Sequence, residues 1–336
     1  MDWSKGFSAA YYAAIVDPYT WRDISRVEVT GGDISLSVDG LRGSADVDCV
    51  NYEQGRELWL RVWLNARQDD DTAHEALFTG LASSPTRAIN GTLVENAVQL
   101  YSVLKPAEDV LLPLGWYAPE KTSGETLLRD LLSVTPAPVE FADNAPIITE
   151  NIIAEANENR LTMVDKILEA MNWRLRITGD GVIHVLPKAS TVTVMYDALD
   201  NDAVEPEIEV EHDWYSAPNV FRAVSGDNSE TVYDESDSIL SVENRGREIW
   251  AQDTSCNLND GESLNDYARR RLAEGQQTVE VAKYDRRFNP ELLPGDLVRL
   301  NYPRQKLTGV YVIMTQSITL GYGGTTSEEV QKYGEN

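Results

Sequence analysis

The run Pro290-Glu-Leu-Leu-Pro-Gly-Asp-Leu-Val-Arg-Leu-Asn-Tyr-Pro303, followed by Leu307-Thr-Gly-Val-Tyr-Val-Ile-Met-Thr-Gln-Ser-Ile-Thr-Leu-Gly321, decides how the rest of the chain is read. Pro294-Gly295 supplies a tight turn, because proline presets one turn torsion and glycine accepts a positive φ after it. Leu297, Arg299 and Asn301 then alternate with Val298, Leu300 and Tyr302, and Gly309 opens a second alternating stretch. Period-two alternation on both sides of a break predicts a hairpin from a β-barrel. The signature is architectural, and it points away from an enzyme.

Working upstream, Thr278-Val-Glu-Val-Ala282 continues the strand text. Before it, Ser263 to Glu274 is helical, with Leu264, Tyr267, Ala268, Arg271 and Leu272 at helical spacing and Gly275 as the expected C-terminal cap. From Pro206 to Gln252 strands return, with Ile208 and Val210 in one and Val220, Phe221, Ala223 and Val224 in the next, while Asp227 to Asp237 reads as an acidic loop. These segments predict a second small antiparallel barrel with an inserted helix.

Residues 107–190 have a different period. Pro106, Pro113 and Pro119 mark a boundary, since proline interrupts helices and central strands alike. Ser123 is then the expected N-cap of a helix carrying Leu127, Leu128, Leu131 and Leu132, stopped by Pro136. A second helix is expected to start at Thr162, with Asp165 completing a capping box and Val164, Ile167, Leu168 and Met171 as its buried stripe. Trp173 to Thr178, Gly179-Asp-Gly181 and Val182 to Leu186 predict a hairpin with a glycine-rich turn.

The N-terminal part is strand-like throughout. Phe7 to Val16 is followed by Asp17-Pro18 and reads as a first strand rather than an export signal. Val27 to Thr30 followed by Gly31-Gly32 reads as strand and turn, and Ile34, Leu36 and Val38 alternate with Ser35, Ser37 and Asp39. Leu58, Leu60, Val62 and Leu64 share one side of a strand whose other side holds Trp59, Arg61 and Trp63, so both faces are expected to be covered. Asp69 to Asp71 is a turn, and Leu93 to Val103 a further strand.

At 336 residues the chain exceeds one ordinary core, and 42% hydrophobic with 8% aromatic residues is the composition of a folded protein. No apolar run approaches the ~18 residues that span a bilayer. Cys49 and Cys256 fall in different predicted domains, which suits reducing cytosol and argues against a disulfide framework. The formal charge of −26 repels phosphate, and Arg269-Arg270-Arg271, spread around a helix, reads as a solvated or interface set.

Catalytic patterns fail one by one. His74-Glu75 begins like a zinc-protease helix, but Phe78 stands where the second ligand belongs. Gly179-Asp-Gly181 has His184 in place of a dinucleotide loop's third glycine. His184 and His212, like His74, occur singly, and Asp197, Asp200, Asp202 and Glu205 cluster without an EF-hand's spacing or glycine. Trp59, Trp63, Trp173 and Trp250 are expected inside strands, whereas Trp3, Trp21, Trp116 and Trp214 are candidates for subunit contacts. The sequence nominates no catalytic, cofactor-binding or metal residue and no cofactor.

The Leu293-Pro-Gly-Asp296 turn, the stretch Gly32 to Asp48, Phe78-Thr79-Gly80 and the element Leu161 to Val185 together resemble the phage tail-hub family, which is similar to the hub part of type VI secretion spike proteins. The resemblance implies a mainly β fold with an α+β insert: a barrel over 1–106, a small helix-and-hairpin domain over 107–190, and a second barrel over 191–336 with a helix inserted at about 262–275. It further implies a structural virion protein of the baseplate or tail tip, made in the host bacterial cytoplasm. Its subunits would form a homotrimeric ring joining the tail tube or distal tail protein to a tip or spike protein, beside a tape-measure protein, with DNA passing through unbound. The rivals are a tail-associated glycan or peptidoglycan hydrolase and a receptor- or carbohydrate-binding adhesin.

Overall fold

The computed structural model describes residues 1–333 except 51, 53–55, 91–92, 198–203, 213, 227, 255, 257, 259–261, 278–279 and 322–324. Its first seven strands are β1 (Ser8–Val16), β2 (Asp23–Ser37), β3 (Gly43–Val50), β4 (Leu58–Gln68), β5 (Asp71–Ala82), β6 (Thr86–Asn90) and β7 (Leu93–Ser102). Six of them run in the order β1-β4-β5-β7-β3-β2, and β2 pairs back onto β1, so the sheet closes into an antiparallel barrel. Leu60, Val62 and Leu64 of β4 point into it beside Val47, Cys49, Val98 and Leu100, while Trp59 and Arg61 on the other face are buried too.

β2 departs from the sequence reading at Gly31-Gly32, which forms no turn. The strand runs through it, with a register shift against β3 and Gly32 at φ +134°. A Cβ on Gly32 would lie 2.1 Å from the Asp46 carbonyl oxygen, so the glycine serves close strand approach within a bulge.

The small domain comprises α1 (Lys105–Asp109), β8 (Tyr117–Ala118), α2 (Gly124–Leu132), β9 (Val139–Phe141), β10 (Ile152–Ile153), α3 (Arg160–Met171), β11 (Trp173–Ile177) and β12 (Ile183–Pro187). The expected leucines of α2 and the stripe of α3 are buried in a common core that also takes in Val16 and Trp59 of the first barrel. The cap of α3 is Asn159, one turn earlier than expected, and its side chain accepts from the Thr162 N–H. Asp165, freed from any capping box, pairs instead with Arg42 of the first barrel.

This domain is fastened to both barrels. The Gly179-Asp-Gly181 turn sits on β4 and β5: Arg61 and Trp21 both donate to the Asp180 carbonyl at 2.9 Å, and Thr79 donates to that of Gly179 at 2.8 Å. A Cβ at Gly179 would meet the Ala76 carbonyl at 1.8 Å, so only glycine permits this approach. On the other side Asp296, from the Pro294-Gly295 turn, accepts from Arg174 at 2.7 Å and from Arg176 at 3.3 Å.

The second barrel is built from β13 (Val192–Asp197), β14 (Val204–His212) and, after an insert, β18 (Glu280–Arg287), β19 (Leu297–Tyr302), β20 (Leu307–Thr319) and β21 (Thr325–Lys332). Its order is β13-β19-β20-β21-β18-β14, with no pairing between β13 and β14 among the described residues. The β19–β20 hairpin forms as expected, but its reversal is Pro303 to Lys306, and Gly309 lies inside β20. The insert is more than a helix: β15 (Val220–Ser225), β16 (Asn228–Tyr233), α4 (Val242–Arg245), β17 (Trp250–Asp253) and α5 (Leu264–Gln277) make a unit with its own core. Residues 228–233, expected as loop, are strand because they pair with β15 and bury Val232. Gly275 lies within α5, packed against Pro218, two residues before the helix ends and not after it.

Candidate functional site

Pairing of β2 with β20 joins the two barrels into one 13-stranded sheet. Strands β7, β3, β2, β20, β21 and β18 are therefore in register across both barrels. Tyr101, Ser44, Ser35, Ser317, Ser327 and Asp285 form one row across all of them. Gln99, Asp46, Asp33 and Thr319 form the next, where the Thr319 hydroxyl donates to Asp33 at 2.8 Å. On the other side lie Ser37, Thr315, Glu329 and Lys283, the last two ion-paired at 3.3 Å. With Asp48 and Arg287 at its margins, this face carries carboxylates at 33, 46, 48, 285 and 329 against cations at 283 and 287. The part around Ser35, Thr315 and Ser327 lines a cleft of about 700 Å³ between the barrels. A continuous, hydroxyl-rich and net acidic surface can exclude phosphate while staying wet.

The reverse side of the same strands is buried. Glu328 accepts from Arg286 at 2.5 Å and from Gln316 at 2.6 Å, and Gln316 also donates to the Leu292 carbonyl. Arg286 and Glu328 are 1% and 3% exposed. Burial works against the Arg286 cation, but the charge and hydrogen bond of Glu328, together with the neighbouring Tyr196 and Tyr284, raise the guanidinium pKa above its ordinary value. Burial, and then the Glu328 charge, push the Tyr284 phenol well above the usual range. The sequence gives no hint of this pair, because both residues sit in charged, solvent-like text.

The other residues singled out from sequence disperse. His74 lies on β5, not on a helix, stacked at 4.2 Å on Trp63 and hydrogen-bonded to the Tyr12 hydroxyl at 2.7 Å. His184 on β12 faces Glu140 at 3.3 Å. Asp200 and Asp202 lie outside the described residues, as do the side chains of Asp197 and His212; Glu205 is exposed. Among the described residues no three His, Cys, Asp or Glu side chains are grouped to hold a metal. Arg270 and Arg271 both pair with Glu274 along α5, and Arg270 also with Glu262 just before it. Trp3 and Trp21 are packed against Phe288 and Trp59 rather than presented outward, whereas Trp214 and Trp250 are exposed.

No family model and no curated protein matches the sequence. Solved structures do. A tail protein from Neisseria meningitidis is similar at a TM-score of 0.70 with 14% identity, over 96% of this chain and 97% of that one. The 43 kDa tail protein of prophage MuSo2 from Shewanella oneidensis is similar at 0.67 with 12% identity, over 97% and 98%. A component of the E. coli type VI secretion system, itself similar in structure to the T4 bacteriophage tail proteins gp27 and gp5, follows at 0.53 with 10% identity, over 92% and 74%. The likeness is one of fold and spans nearly the whole chain: this is the mainly β tail-hub fold, with two barrels and a helix-and-hairpin domain.

Proposed function

We propose that this chain is a structural subunit of a phage-type tail, a hub that assembles as a ring of three copies between the tail tube or distal tail protein and a tip or spike protein. The observation that carries the reading is the joined sheet. Two barrels fused through β2 and β20 present one polar face, and copies arranged around an axis would extend it into a continuous wall. The acids on that face would let DNA, and a tape-measure protein before it, slide past without adhering, since cation–phosphate attraction is what makes nucleic-acid binding tight. Residence in the virion tail, after synthesis in the host cytoplasm, follows from the same reading. No catalytic residue is assigned.

The test is electron microscopy of tail particles decorated with an antibody to this chain, paired with a gel shift of the purified protein at physiological salt. Label at the tail tip and no DNA retention support the reading. Label elsewhere removes the hub assignment, and clear retention removes the conduit assignment.

A further inference from the structure

The insert between β14 and β18 carries a surface of another kind. One face of its three-stranded sheet packs Phe221, Ala223 and Val232 against α5. The opposite face sets Tyr233 and Trp250 on either side of Val220 in one registered row, their rings meeting edge to face at 6.1 Å. Arg222, two residues along, lies 4.7 Å over the Trp250 ring. Beside the sheet, Trp214 and Tyr215 are 54% and 68% exposed, yet they are held in place. Arg245 donates to the carbonyls of Trp214, Tyr215 and Ala217, and Arg247 donates to that of Tyr215 while covering its ring at 4.3 Å.

Large aromatics fixed in solvent are a costly finish for a free surface. Trp, Tyr and Arg are the residues that anchor protein interfaces, and ordering them before contact removes much of the entropy cost of docking. Arg222 and Arg247 are laid on these rings and have no carboxylate partner among the described residues, in a chain with 55 acids against 29 bases. A guanidinium stacked on an aromatic ring keeps its in-plane donors available for a carboxylate.

The complementary surface is on the same chain. β14 ends the joined sheet and pairs only with β18 among the described residues. Along it Glu205, Glu207, Glu209 and Glu211 are exposed, Glu209 in register beside Lys283, so these carboxylates stand at the free edge of the polar face while Val204 and Ile208 turn inward. From Ile208 onward, where the pairing is regular, Glu209 and Glu211 stand about 7 Å apart on the open strand.

We propose that the aromatic and arginine face of one copy docks on the acidic β14 of a second copy. This rests on the ring-forming reading above and names the surfaces that would close the ring. Because the two surfaces differ, each copy engages one neighbour through its insert and the other through β14, a heterologous contact that closes into a ring when the rotation allows.

Sedimentation velocity over a concentration series tests it on four variants: Trp250→Ala, Arg222→Glu, Glu209→Arg, and the double reversal Arg222→Glu with Glu209→Arg. Each single change is expected to weaken self-association about tenfold or more, as loss of an interface anchor does. The double reversal should recover much of it, and circular dichroism should show all four folded like the parent. Variants that assemble as well as the parent, or a double reversal no better than its singles, overturn this contact and leave the ring standing; the face then serves another tail protein or a glycan. A parent chain that never self-associates overturns contact and ring closure together.

Discussion

Where β2 runs beside β20, one row of inward side chains passes from Leu100, Ala45 and Ile34 in the first barrel to Ile318, Thr326 and Arg286 in the second. A neighbouring row goes from Leu36 to Gln316, Glu328 and Tyr284. Along these two rows the sheet is therefore backed by hydrocarbon in one barrel and by a buried ionic network in the other, where hydrocarbon returns at Ile313, Val330 and Ala282. The first barrel is closed by strand pairing all round, whereas in the second β13 and β14 do not pair with each other among the described residues. A closed barrel with an apolar core needs nothing else to define it. In the second, Glu328 fixes β21 against both β18 and β20 through Arg286 and Gln316, and an apolar trio there would tolerate slippage more readily.

The comparison breaks most visibly at Glu328. Glu328→Ala leaves Arg286 buried without its partner, and about 3–5 kcal/mol of stability should be lost in urea denaturation. Replacing both, Arg286→Met with Glu328→Leu, should return stability close to the parent value, because desolvation of two charges is removed together with their attraction. A single change costing under about 1 kcal/mol would show that the pair is hydrated rather than enclosed. The apolar interior of the first barrel should respond differently: Leu60→Ala should lose about 2–5 kcal/mol by cavity formation alone, and no second substitution at a charge should rescue it.

Gly295 sharpens the contrast at the turn that the sequence reading began from. It stands at φ +86°, and a Cβ there would meet Arg174 Nη1 at 2.4 Å. Gly295→Val should therefore lose about 1–3 kcal/mol through backbone strain and also displace the Arg174–Asp296 contact that holds the small domain. Limited proteolysis should then cut the variant within the small domain faster than the parent. Equal rates would mean that the Gly179–Gly181 side alone secures it.

Local patterns were legible where one face is apolar and the other polar. The alternation of Ile34 and Leu36 with Ser35 and Ser37, the strand Leu58 to Leu64 and the hairpin around Gly179 to Gly181 all follow from period two and turn chemistry. Gly31-Gly32 misled because bulges and turns both select glycine. β16 was hidden because Asn228 to Tyr233 buries little besides Val232, and its strand form comes from pairing with β15. The polar face itself depends on Asp33 meeting Thr319 and Ser35 meeting Ser317, pairings between chain ends that no local window contains. The buried Arg286 and Glu328 were invisible for the opposite reason, since charged residues in a strand read as solvent-facing until their partners are known.

The smallest effect is chemical and needs no mutation of either core. Cys49, in the first barrel, is fully buried, and desolvation with the nearby Asp48 charge pushes its thiol up to about 12. Cys256, in the insert, is partly exposed, and burial raises its pKa as well. Thiolate is the reactive form, so both should alkylate slowly at pH 8 in the native protein, with Cys256 clearly ahead. Cys49 becomes accessible only when β3 separates from β2 or β7, which breaks the closed barrel. On titration with urea, Cys49 labelling in a Cys256→Ser chain should rise only with the global unfolding transition, after any opening reported from the second barrel. Native-state labelling of Cys49 at the rate of Cys256 would show that closure by strand pairing confers no extra protection, and would place the more rigid interior in the barrel held by Arg286 and Glu328.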